Sequence, residues 1–100
     1  MTTTTTFHTG RRSGIGYDKN YQMTTNAAKA DKGIQITAST ANSVSIYVGA
    51  SGITANGADA TDGYPVAAGE SVLFPVRNAT EIFLIAAGSA TAQKIWWMIV

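Results

Sequence analysis

The chain contains no cysteine. Disulfides and thiolate-bound metals are therefore excluded. Charge is also scarce: Asp, Glu, Lys and Arg make up 13% of the residues, against about 25% in an ordinary soluble domain. Thr, Ser, Asn and Gly take the place of charge, which suits a protein that covers much of its surface with neighbours. Proline occurs twice, at Pro65 and Pro75. The longest apolar run, Ile95 to Val100, is far shorter than the roughly 20 residues a membrane-spanning helix needs. The opening MTTTTTFHTGRRSG lacks the apolar core of a signal peptide. A soluble product made inside the cell is expected. The sole histidine, His8, has no partners at metal-ligand spacing.

What is present is alternation. A chain of 100 residues makes one domain. Its organising stretch runs from Val44 to Val76. Val44, Ile46 and Val48 alternate with Ser45 and Tyr47, a Gly-rich loop follows, and Val72, Phe74 and Val76 share a face. This period of two argues for half-buried strands. Gly33 to Ala38 reads as a further strand, and Ile53-Thr54 as a short one. Tyr64-Pro65-Val66 and Ser71 to Val76 carry prolines that confine them to sheet edges or bulges. Glu81 to Ala87 and Lys94 to Val100 are apolar on both faces, so each needs cover on both sides. Phe83, Ile85, Trp96 and Met98 are the candidate residues for an interface between copies. The alternative is that all of them fill one tightly wrapped sandwich.

The first 32 residues read differently. Thr2 to Thr6 is a β-branched run without apolar partners, and glycines at 10, 14 and 16 make regular structure costly. The segment carries Arg11, Arg12, Lys19, Lys29 and Lys32 against Asp18 and Asp31, a net of +3, whereas residues 33–100 carry −2. We therefore expect an extended N-terminal arm over residues 1–32 and a β-domain over residues 33–100. Ordering an arm costs roughly 1–2 kcal/mol per residue, so it needs contacts along its length. Phe7, Tyr17, Tyr21 and Met23 are the candidate anchors, with Arg11 and Arg12 as ion-pairing residues. The arm has no dense Lys/Arg cluster, so nucleic acid is not an expected partner, and neither is a membrane.

No catalytic arrangement is expected. Asp59 and Asp62 do not match a calcium loop. Gly14-Ile15-Gly16 has no strand-to-helix context for phosphate. Glu70 and Glu81 both fall at strand starts, where solvated carboxylates are usual. Asn78-Ala79-Thr80 fits a glycosylation sequon with nothing to imply secretion. Trp96 and Trp97 point to opposite faces of one strand. No enzyme activity and no cofactor are expected.

The order of three segments carries a resemblance. Val44-Ser45-Ile46-Tyr47-Val48-Gly49-Ala50-Ser51-Gly52-Ile53-Thr54-Ala55 is followed by Gly63-Tyr64-Pro65-Val66-Ala67-Ala68-Gly69-Glu70-Ser71-Val72. Then comes Glu81-Ile82-Phe83-Leu84-Ile85-Ala86, with a closing aromatic strand. Residues 33–100 resemble small virion structural proteins of tailed bacteriophages. The resemblance implies an all-β fold, a small antiparallel β-sandwich or barrel of jelly-roll type preceded by the arm. It also implies a capsid decoration (cement) protein on the capsid exterior, with the major capsid protein and its own copies, as a homotrimer, for partners. A tail or head-fibre component is the alternative within that family. A carbohydrate-binding module, with Tyr47 or Tyr64 on an open face beside the Asp59–Asp62 loop, is the alternative outside it.

Overall fold

The computed structural model describes residues 9–25, 27–55, 62–88 and 91–100. Eight strands lie among them: β1 (Thr9–Ile15), β2 (Tyr21–Gln22), β3 (Ile34–Ala38), β4 (Ile46–Gly49), β5 (Tyr64–Val66), β6 (Ser71–Phe74), β7 (Phe83–Ala86) and β8 (Gln93–Ile99). A single 3-10 turn, Ala79–Glu81, precedes β7. Sheet A has the order β1-β8-β3-β6, and sheet B the order β2-β7-β4-β5. All pairings between these strands are antiparallel.

These orders follow one rule. The first strand pairs with the last, the second with the seventh, the third with the sixth and the fourth with the fifth. The chain is thus a nested antiparallel ribbon rolled into two sheets, the eight-stranded jelly roll. The all-β expectation holds.

Alternation sets which residues meet between the sheets. Sheet A sends in Ile34, Ile36 and Ile95, and sheet B sends in Ile46, Val48, Val66 and Leu84; all seven are buried in one core. Trp97 and Ile99 continue the inward row of β8 and pack against it. Trp97 stands directly across from Gly10 in the register. A β-carbon at Gly10 would lie 2.5 Å from the Trp97 ring, so glycine is what lets the indole lie across the first strand.

Several strands fall where alternation placed them. The strand expected to reach Val76 stops at Phe74, because Pro75 has no N–H to give the ladder. Ile53-Thr54 makes only an isolated bridge, Thr54 to Asp62. β5, which contains Pro65, and β6, which ends just before Pro75, both lie on sheet edges.

The division between arm and domain is corrected by the fold. Residues 9–25 contain two strands that are built into the sandwich: β1 joins sheet A and β2 joins sheet B. Ile15, Met23 and Ala30 belong to the core. The reason is topological. A jelly roll lacking its first two strands leaves β8 and β7 each with an unpaired edge, and the core open beneath them. Segment 27–30 is also stitched in, by Ala30 N–H to Arg77 O at 2.8 Å and Ala79 N–H to Ala28 O at 3.0 Å.

Met23, 2% exposed, reports on this placement. Met23→Ala lowers the unfolding free energy by about 2–5 kcal/mol in urea. Residues 33–100 alone show no cooperative transition, and a sharp two-state melt from that piece would refute the role given to β1 and β2.

Candidate functional site

The two outer faces of the sandwich differ. On sheet B, Tyr47, Gly49, Phe83 and Ile85 point outward by their register. The segment after β4 doubles back over them. Ile53 lies over Gly49, where an added β-carbon would come within 2.6 Å of its methyl. Asn20, beside β2, holds the segment down: its Nδ2 donates to Ile53 O at 2.7 Å and its Oδ1 accepts from Gly52 N–H at 2.6 Å. To reach Asn20 from β4 the segment crosses β7. Ile85 is therefore only 9% exposed and Phe83 is half-buried. Both were candidates for an interface between copies; Ile85 is buried within the single chain, and Phe83 is half-buried on the face where Asn20 holds the segment.

On sheet A no such loop covers the outer face among the described residues. Cross-strand register arranges it in rows. One row runs Arg11, Trp96, Thr37, Ser71, and the next runs Thr9, Met98, Gln35, Leu73. Trp96 is 44% exposed and Leu73 52% exposed. A shallow groove of about 560 Å³ runs between the rows, lined by Arg11, Trp96, Met98, Gln35 and Thr37 among others. Thr37 and Ser71 share a hydroxyl hydrogen bond of 2.6 Å. Of the sequence-derived interface candidates, Trp96 and Met98 are thus brought together on an open face.

The arm residues divide. Phe7 lies outside the described residues, as do His8 and Asp59. Arg11 is exposed on the open face, and Met23 is core. Tyr17 is 48% exposed. Arg12 crosses from β1 to β2, donating from Nε to Gln22 O at 3.1 Å, with its guanidinium 5.3 Å from the Tyr21 ring centre. Lys19 stands 5.2 Å from the same ring. The Tyr21 hydroxyl donates to Asp18 Oδ1 at 2.6 Å. That bond holds the Asp18 carboxyl below its ordinary 3.8 and pushes the Tyr21 phenol above its ordinary 10.0. Arg12 thus serves a surface cluster that ties β1 to β2.

The remaining candidates do structural work. Asp62 accepts from Thr54 Oγ1 at 2.6 Å. Glu70 accepts from Ala67 N–H at 3.2 Å within a turn. Asn78 caps the 3-10 turn, accepting from Thr80 N–H at 3.1 Å. Tyr47 and Tyr64 lie on opposite sides of sheet B by register, and Tyr64 packs edge-on against Phe74 at 5.8 Å. They do not form one platform. Among the described residues no group of three His, Cys, Asp or Glu gathers, and no helix is long and apolar enough to cross a membrane. Sequence reasoning missed Leu73, Gln35 and Thr37, whose strands alternate plainly. Their outward parity was readable, but not the pairing that sets them beside Trp96.

No family model matches this chain, nor does any curated protein or any solved structure.

Two predictions separate the faces and the cluster. Trp97→Ala costs about 2–4 kcal/mol of stability, as expected for a large side chain packed on the core, whereas Trp96→Ala changes it by less than about 1 kcal/mol; denaturant melts of the two variants check this. The Asp18 contribution to stability is present above its unfolded value and is lost as pH falls below 3.8; that of Tyr21 is present below 10.0 and is lost as pH rises past it. Tyr21→Phe returns the Asp18 titration upward, read by carboxyl NMR shifts.

Proposed function

We propose that this chain is a structural protein that acts by adhering to other protein subunits, as a decoration protein on the exterior of a tailed-bacteriophage capsid. The observation that carries the reading is the outer face of sheet A, where Trp96 and Leu73 are exposed and Met98 is half-buried. Exposed apolar groups in one patch mark interaction surfaces. The jelly-roll order adds a fold-level analogy, since viral capsid and lectin domains share it. The resemblance of residues 33–100 to virion proteins points the same way.

On this reading the chain contributes binding and no chemistry. Each copy lays its open face on the capsid, self-association as a trimer links several such faces, and the residues before β1 reach a neighbouring subunit. Linked weak contacts act at high effective concentration, so a small β-sandwich resists outward pressure on the shell.

Co-sedimentation with undecorated heads tests the proposal. The full chain binds saturably. Removing residues 1–8, which precede Thr9 of β1, weakens binding at least about fivefold; a melting curve of the shortened chain checks that the sandwich is intact. Light scattering gives the mass of a trimer. Absence of binding to heads, with labelling of tails or fibres instead, would replace the decoration role by the alternative virion role.

A further inference from the structure

We propose that the outer face of sheet A takes a partner protein surface that is acidic around an apolar centre; this deepens the adhesive reading above and rests on it. Three features of the face carry the inference: its composition, its charge and its size.

The composition is that of a protein interface. Trp96 stands at the centre of one row with Arg11 beside it, and Met98 is the central apolar group of the next, flanked by Leu73 two strands away. Aromatic residues, Met and Arg are enriched at protein interfaces, and Trp and Arg are the commonest hot spots. A sugar site has a different make-up. It needs polar groups converging around one aromatic ring, whereas here aliphatic Met98 and Leu73 flank it and the Thr37 hydroxyl is already bonded to Ser71.

The charge has one sign. Arg11 lies in the Trp96 row, and Lys94 shares the same face of β8 two residues from Trp96. The rows Arg11–Ser71 and Thr9–Leu73 contain no carboxylate. Two copies stacked through this face would bring four cations together with no carboxylate of either row to neutralise them. Like charges across an interface cost several kcal/mol, so the occupant is not a second copy. A partner with carboxylates around an apolar centre complements it.

The size fixes how the face is used. Four strands about 4.8 Å apart, with side chains along about 20 Å of strand, give a footprint of roughly 400 Å². A stable complex buries about 800 Å² on each partner. The face alone holds its partner transiently, and lasting attachment requires several copies or a further contact.

The test titrates the isotope-labelled full chain with soluble helical peptides whose leucine face is ringed by glutamate, by lysine or by serine. The glutamate peptide shifts the Trp96 indole and Arg11 amide signals, roughly tenfold more tightly than the other peptides. Arg11→Glu, at an exposed position, keeps the melting curve and moves the preference to the lysine peptide. Trp96→Ala loses the response to every peptide. Equal response to all peptides, or shifts confined to sheet B, overturns the proposal. So does a stronger response to dextran or polygalacturonate, which makes the face a glycan site. Dimerisation abolished by Trp96→Ala overturns it in favour of a second copy. The peptides and the capsid heads fail separately. A chain that selects the glutamate peptide but ignores heads leaves the docking face standing and removes the capsid. Heads that bind Trp96→Ala and Arg11→Glu as well as wild type do the reverse.

Discussion

The pairing of β8 with β1 on one side and β3 on the other constrains everything else in the molecule. It closes the nested ribbon, so the hairpins inside it have a fixed place. It also assigns faces. Successive side chains of a strand point to opposite sides, and a slip of one residue would exchange them all. In β8 the slip would put Trp96 and Met98 into the core and turn Ile95, Trp97 and Ile99 out. Gly10 opposite Trp97 works against that slip, because only there can the indole lie flat over the first strand. Hydrogen bonds at the start of β8 work against it too. Gln93 Oε1 accepts from Ser43 N–H at 2.8 Å, and Asn42 takes both the N–H and the C=O of Lys94, at 2.9 and 2.8 Å. The polar turn between β3 and β4 thus acts as a register stop.

The strands β3, β4 and β6 were legible because their inward residues are apolar while their outward ones include Gln35, Thr37, Tyr47 and Ser71. Ile34, Ile36 and Ala38 against Gln35 and Thr37 is the clearest case. The first strand was not legible as a sheet member. Its inward positions Gly10 and Arg12 carry no apolar side chain, because Trp97 of the neighbouring strand supplies the cover above Gly10. Hydrophobic alternation is a property of the sheet surface here, and one strand borrowed it from another. Only Ile15 and Met23 marked that segment as part of the core, and two apolar residues amid Thr, Gly and Arg do not make a period.

The both-face apolar strands show a second limit. Sequence read β7 and β8 alike, since neither has a polar parity. The structure separates them by a contact that no local pattern announces: Asn20 pulling the segment around Ile53 across β7. Among the described residues one sheet carries such a segment on its outer face and the other does not. The candidate site was therefore half visible. Trp96 and Met98 were identifiable as residues needing cover. Which sheet face lacked it depended on a loop contact between residues 32 or more positions apart.

The two neighbouring indoles also give the molecule a built-in optical contrast. One is open to solvent at the centre of a sheet face, and the other lies over a glycine at the core. An aqueous quencher reaches the first more readily than the second, which is only partly exposed. Their emission therefore resolves into a red-shifted, quenchable part and a blue-shifted, protected part. Anything that settles on the outer face of sheet A covers chiefly the first. Loss of the fold exposes both together. Occupancy of the face and integrity of the roll can thus be read apart from the protein's own fluorescence, with no label attached.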